Sequence, residues 1–212
     1  MARMKVLNGP SIRRMPIYLY WLSVMQERGE EFASTTQLAE YIDLEPINVR
    51  KDIALTGVTG TVGVGYRVGE LIEGIRRYLG WDIMRPACLV GVGALGRALL
   101  GHRDFHEAGL KFICVFDSDE QKIGTEVRGH EVLSMDVMAE TVKAMNPEVA
   151  VICVPAEGAQ KVVDDLVDCG IKSFWSFSNV SLRVPEGVFI QREVIAGGYA
   201  TLSVKLAQMK RK

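Results

Sequence analysis

The sequence predicts an α/β chain in two parts: a winged helix-turn-helix over residues 1–80 and a parallel-sheet domain over 81–192, followed by a C-terminal helix over 193–212. Three observations predict it. Two short amphipathic segments joined by a tight turn follow a longer helix, and a glycine-rich ribbon follows them. Further on, apolar strand-like runs alternate with helix-like ones. Between these regions, ACLVGVGALG (Ala87–Gly96) carries an apolar run into G-x-G-x-x-G and then into a helix start.

With 212 residues, the chain can form one large or two small domains, each with a core. Its formal net charge of −1 exerts no global pull on nucleic acid, so any such contact must come from local clustering. The N-terminal MARMKVLNGP lacks the apolar core of a signal peptide, and no window approaches the ~18 apolar residues of a membrane span. Cys88, Cys114, Cys153 and Cys169 show no CxxC spacing, and the first three lie in strand-like runs where buried, reduced thiols are expected. A reducing cytoplasm and no membrane partner are therefore expected.

Residues 12–29 read as a helix, with an apolar stripe of Ile17, Tyr18, Tyr20, Trp21, Leu22, Val24 and Met25, a start at Arg13 and Arg14 just before Pro16, and a stop at Gly29. Ser34–Thr36 offers an N-cap to a short helix ending at Ile42. After the turn Asp43–Glu45, Pro46 suits the first position of another helix to about Leu55, with Ile47, Ile53 and Val49 facing in. The pair makes a helix-turn-helix over about 16–56. The early part of its second helix is the part that faces a major groove, and it holds Arg50 and Lys51. Spacing alone leaves two readings, a DNA contact or a solvated face. GVTGTVGVGYRVG (57–69) predicts a wing, whose glycines either admit phosphates to backbone N–H groups or only permit the turns. Leu71, Ile72, Ile75, Tyr78 and Leu79 mark one more helix, and 81–86 is the boundary.

In Ala87–Gly96, Gly91 permits a sharp turn, Gly93 has no Cβ to bar a pyrophosphate, and Gly96 lets the helix approach its strand. Either this is a dinucleotide site or a turn of that shape binding nothing. Asp117 ends the next strand, Leu110–Asp119, where a ribose-binding carboxylate belongs. Next come a loop (Lys122–Val127), a helix (Met135–Met145), a strand (Val149–Val154), the loop Pro155–Gly158, a helix (Gln160–Cys169) and a strand (Ile171–Phe177). Ligands of such sheets sit beyond the carboxyl ends of strands, so Gly91–Gly96, Asp117, Pro155–Glu157 and Phe177–Asn179 should converge. The tail could form an amphipathic helix ending in Lys210-Arg211-Lys212, folded on its own domain or reaching a second subunit. A small NAD-dependent oxidoreductase is the rival reading, but no second domain holds a substrate and no acid–base pair stands out. A ligand-binding module without a DNA role is the third.

The whole chain resembles the Rex family of redox-sensing repressors, through Arg14-Met15-Pro16-Ile17-Tyr18, Val49-Arg50-Lys51-Asp52, Gly63-Val64-Gly65-Tyr66, Gly91–Gly96, Phe116-Asp117, Lys122–Val127, Val154-Pro155, Ala159-Gln160 and Gly170-Ile171-Lys172. The resemblance implies a homodimer of winged-helix and Rossmann domains with a swapped C-terminal helix. It implies binding to a palindromic operator in double-stranded DNA, released when NADH binds, and no catalysis. It places NADH or NAD+ on Gly91, Val92, Gly93, Ala94, Leu95, Gly96, Asp117, Ser118, Lys122, Val154, Pro155, Ala156, Glu157 and Phe177. It places DNA on Asn48, Arg50, Lys51, Arg14, Gly63, Gly65 and Tyr66, with Arg14 and Tyr66 also at the meeting of wing, first helix and cofactor domain. The chain departs from the family pattern at Ala54-Leu55-Thr56, at Val62 where the wing carries a basic residue, at Ser176–Asn179, at Glu193, and at Gly197-Gly198-Tyr199 in the start of the tail helix.

Overall fold

The structure, a computed structural model, describes residues 8–209. It divides into two units: the residues up to Met84 with Glu107–Gly109, and Arg85–His106 with the residues from Leu110 on.

The first unit opens with α1 (Gly9–Glu27), which starts before the expected residue 12 because Pro10 presets the helical φ of the first turn. Pro16 lies inside α1, not at its start; it lacks an N–H for the ladder, but Met15, Tyr18, Leu22 and Met25 around it are fully buried, and their burial outweighs the lost bond. The short strand β1 (Phe32–Ala33) leads into α2 (Thr35–Ile42), which begins in a capping box: Gln37 N–H donates to Ser34 Oγ at 3.1 Å and Ser34 N–H to Gln37 Oε1 at 2.9 Å. Asp43, at φ 52°, ends it. α3 (Pro46–Ala54) follows with Val49, Asp52 and Ile53 buried. Ile47, expected to face in, is 51% exposed, because steps of about 100° per residue set it opposite Val49 and Ile53.

The wing is less regular than the expected ribbon. It has one bridge, Thr61 to Gly65, after which β2 (Tyr66–Arg67) pairs antiparallel with β1 rather than within 57–69. Gly65 has φ +114°, and a Cβ there would stand 2.5 Å from the Ala33 carbonyl oxygen, so the close β1–β2 approach requires glycine. α4 (Val68–Leu79) closes the unit and buries Val68, Leu71 and Ile75.

The second unit is a seven-stranded sheet. In chain order it comprises β3 (Arg85–Val90), α5 (Ala94–Leu100), α6 (Arg103–Glu107, all but its last residue), β4 (Leu110–Asp117), β5 (Glu126–Val127), β6 (His130–Ser134), a 3-10 turn (Met135–Val137), α7 (Met138–Met145), β7 (Val149–Ile152), α8 (Ala156–Asp168), β8 (Ser173–Ser176), β9 (Phe189–Arg192) and α9 (Ala196–Met209). The sheet order is β5-β6-β4-β3-β7-β8-β9, parallel except for β5–β6. Chain connections run outward from β3 through β4 to β6, then return to β7 on its other side. The crevice between β3 and β7 is thus the topological switch point, where open sheets of this kind bind ligands.

Several expectations are corrected here. The 122–127 loop ends in a hairpin, β5–β6, turned by Arg128 and Gly129, both at positive φ as a two-residue turn requires. Pro155–Gly158 is not a loop: Ala156–Gly158 form the first turn of α8, with Pro155 as its N-cap. Gly197 and Gly198 lie within α9. Lys210-Arg211-Lys212 lie outside the described residues.

Candidate functional site

The glycine turn fills its assigned geometry in detail. Gly91 has φ +100°, and its missing Cβ would stand 2.8 Å from the Cys153 carbonyl. Gly96 packs against the Gly91 carbonyl oxygen, a contact no Cβ could share. A Cβ at Gly93 would meet nothing within 4 Å, so its open side faces free space. Strand hydrogen bonds run into the turns beyond the strand ends: Gly91 N–H to Phe116 O (2.8 Å), Cys153 N–H to Val90 O (2.8 Å) and Phe177 N–H to Ile152 O (2.9 Å). Three loop bases are therefore held rigidly at one end of the sheet.

They surround a cavity of about 1070 Å³. Of the expected cofactor residues, Gly91, Gly93, Ala94, Leu95, Asp117, Ser118, Lys122, Val154, Pro155, Ala156, Glu157 and Phe177 line it. Val92 and Gly96 do not. Val92 is fully buried and acts through its backbone, and Gly96 works by packing. Sequence reasoning missed Met135 and Asp136 on the 3-10 turn, and Lys161, Val162 and Asp165 on α8, all of which line the cavity. The sheet order could have found the first two, because β6 lies beside β4 and the residues after it reach the same rim.

Asp117 is 7% exposed. Its Oδ2 accepts from Val92 N–H at 2.7 Å and Lys122 Nζ at 3.2 Å, and its Oδ1 from Asp119 N–H at 2.9 Å. Burial pushes the carboxyl up, but the Asp119 and Val92 N–H groups and Lys122 outweigh it and hold the group below its usual value. Burial lowers Lys122 in turn, but Asp117 and Asp119 (3.2 Å) outweigh that and raise it. The cavity wall also holds Asp136, Glu157 and Asp165, so lysines alone do not neutralise an entering anion. An anion there would also need donors from the backbone of the glycine turn beyond Val92, whose own N–H is bonded to Asp117. Burial pushes the Cys153 thiol up to about 12, so it stands protonated and unreactive at neutral pH.

These residues fit a dinucleotide. The cavity volume lies just above the ~300–1,000 Å³ usual for ligand sites. A diphosphate would find open space at Gly93, and ribose hydroxyls would find an ionised carboxylate at Asp117.

In the first unit, α3 presents Ile47, Arg50, Lys51 and Ala54 as one exposed stripe, with Asn48 half-exposed on its shoulder. Gly63 and Val62 form the exposed wing tip. Tyr66 is half-buried against the core and packs its ring beside Gly60, so it anchors the wing. Arg14, expected as a DNA contact, spends two of its guanidinium nitrogens inside the unit. Its Nε and Nη2 donate to Asp52 Oδ2 and Oδ1 at 2.7 and 2.8 Å, and Tyr18 OH donates to the same Oδ2 at 2.7 Å. Burial pushes Asp52 up, and the bonds from Arg14, Ser11 and Tyr18 outweigh it and hold the carboxyl low. Burial and this carboxylate push Tyr18 well above the ordinary tyrosine value. Nothing in the chain order pairs Asp52 with Arg14, and the sequence signal for its structural role is an acid sharing the buried face of Val49 and Ile53.

Fold and site define a class: a winged-helix protein carrying a Rossmann-type nucleotide cavity in the same chain. Residues 9–54 match the family described as putative DNA-binding protein N-terminus, and 82–180 the CoA binding domain family. The chain is similar to the redox-sensing transcriptional repressor Rex of Treponema denticola, at 41% identity covering 99% of this chain and 100% of that protein. It is also similar to that of Desulfitobacterium hafniense, at 38% identity covering 91% and 93%. Among solved structures it resembles RSP, a Rex-family repressor. The TM-score is 0.88 at 26% identity, covering 97% and 95% of the chains, for RSP in complex with beta-NAD+ and operator DNA. It is 0.85 at 25% identity, covering 97% of each chain, for the complex with beta-NADH. This chain belongs to the Rex family of redox-sensing transcriptional repressors.

Proposed function

We propose that this protein represses transcription according to the NADH/NAD+ ratio, binding a palindromic operator and leaving it when NADH enters the β3–β7 cavity. The observation that carries this reading is the cavity itself, with the Gly91–Gly96 turn and Asp117 on its wall, in a chain that also presents Arg50 and Lys51 on an exposed helix face. Arg50 and Lys51 contact base edges, Asn48 the groove shoulder, and Gly63 brings wing backbone to phosphates, while Gly65, bonded through both its backbone groups to Thr61, shapes the wing behind it. The Gly93–Leu95 N–H groups hold the pyrophosphate and Asp117 the adenosine ribose, with Ser118 and Lys122 beside it. When bound, the nicotinamide supplies a ring that is cationic when oxidised and neutral when reduced. Val154, Pro155 and Phe177 offer that ring apolar surface, which favours the neutral form, and Ala156 and Glu157 line the cavity beyond it. The protein is a regulator without a catalytic step, working in the cytoplasm where DNA and the dinucleotide pool meet.

It acts as a homodimer. α9 has no buried residue, and Tyr199 stands 70% exposed among Leu202, Val204 and Leu206, an apolar helix that a second subunit covers. Two recognition helices about 34 Å apart then meet successive major grooves. Full switching from 1:99 to 99:1 needs about 5.5 kcal/mol of differential affinity between the two states. Titrating operator-bound protein with each dinucleotide tests the reading. Release at much lower NADH than NAD+ is expected, and equal release by both overturns it.

A further inference from the structure

Ile47 belongs neither to the core of its unit nor to the apolar residues packed against that core. Val49 and Ile53 supply the core side of α3 and are fully buried, whereas Ile47 is 51% exposed in one stripe with Arg50, Lys51 and Ala54. An exposed isoleucine is ordinary in itself. Its place is what matters: it precedes the two cations by one turn, in the first turn of the second helix of a helix-turn-helix, the part that enters a major groove. An aliphatic side chain there can neither donate nor accept. Facing guanine, adenine or cytosine edges, it would strip water from polar groups and return no hydrogen bond. One major-groove feature is apolar, the C5-methyl group of thymine.

We infer that Ile47 is a base-reading residue, packing against a thymine C5-methyl in each operator half-site beside the bases met by Arg50 and Lys51. The inference rests on the operator-binding reading above and adds a specificity determinant to it. Asn48, half-exposed on the shoulder of the same turn, leaves the methyl contact to Ile47.

Deoxyuridine differs from thymidine by that methyl alone. A palindromic duplex selected from a randomised pool by the full-length protein is rebuilt with deoxyuridine at each thymine in turn, symmetrically in both half-sites. Binding of the parent, Ile47→Ala and Ile47→Val is then measured by fluorescence anisotropy. At one position the parent should lose about fourfold per half-site, the equivalent of one buried methyl-sized group, or about 15-fold for the pair. Ile47→Ala should lose less than twofold there, and Ile47→Val should keep most of the penalty. Ile47 is a surface residue, so both variants should melt with the parent. A parent indifferent to every deoxyuridine, or an Ile47→Ala variant that keeps the parent's full penalty, overturns the assignment. A parent that selects no duplex overturns the repressor reading along with it. A parent that binds firmly but ignores the methyl overturns this assignment alone.

Discussion

Two buried carboxylates, one in each unit, show how burial can serve different ends. Asp52 is 1% exposed and Asp117 is 7% exposed, and in both the cost of burial is outweighed by hydrogen bonds that hold the group ionised. Their partners differ. Asp52 is bound by side chains, Arg14 and Tyr18, from a helix far away in sequence. It clamps α1 to α3 and has no open side. Asp117 takes two of its three bonds from backbone N–H groups, and it faces a cavity of about 1070 Å³. The first carboxylate is a structural tie; the second is held ionised on the wall of an open cavity, which is why it is proposed as a ligand contact.

The largest effect should come from breaking the tie. Arg14→Ala strands a fully buried carboxylate and should destabilise the first unit by about 3–5 kcal/mol in urea denaturation at pH 7. Asp52→Ala should cost toward the lower end of that range, because the stranded guanidinium is partly exposed and can be hydrated. The folded pKa of Asp52 is depressed from 3.8, so its contribution is complete above about that pH and is lost as pH falls through the lower folded value. In Arg14→Ala, burial acts unopposed by the guanidinium and raises that pKa. Its deficit against the parent should therefore shrink as the pH is lowered toward 4. A deficit that stays constant from pH 7 to pH 4 would show that the ion pair is not its source.

Changes at the cavity should cost ligand binding as well as stability. Gly96→Ala drives a methyl group into the Gly91 carbonyl, an overpacking of about 1–3 kcal/mol that should weaken NADH binding about tenfold or more in calorimetry. Asp117→Asn keeps the shape but sets an amide N–H₂ against one of the donors Val92 N–H, Asp119 N–H and Lys122. Stability should fall by about 1–2 kcal/mol. With the negative charge removed, discrimination between NADH and NADPH should relax by about tenfold in the same calorimetry, since a 2′-phosphate is no longer repelled. An unchanged NADH/NADPH ratio would remove Asp117 from the specificity argument.

The same contrast explains what could be read from the sequence. The cavity site was legible because its parts are local: a glycine at each backbone constraint, and an acid at the end of the next strand. The tie was not, because Arg14 and Asp52 are 38 residues apart and only the folded α1–α3 contact makes them partners. β1, β2 and β5 are two residues long, too short for any periodicity to show. Met135 and Asp136 reach the cavity through sheet order, which chain order conceals. Ile47 reads as inward because it is apolar, whereas the helical angle relative to Val49 and Ile53 sends it outward.

The smallest effect sharpens the boundary between fold and function at the wing. Val62 is 99% exposed at the tip, and no charged residue lies between Asp52 and Arg67. A neutral tip adds nothing to counterion release on DNA. Val62→Arg should leave stability within about 0.5 kcal/mol of the parent, since the side chain touches no core. If the wing lies along the phosphate backbone, each new arginine neutralises about one phosphate. The slope of log K against log salt should then steepen by about 0.9 per subunit, roughly 1.8 for a dimer. Affinity should rise with similar strength on operator and unrelated DNA, because phosphates carry no sequence. An unchanged slope would mean the tip stays clear of the duplex. Recognition would then rest on α3 alone, the helix that Asp52 holds in place.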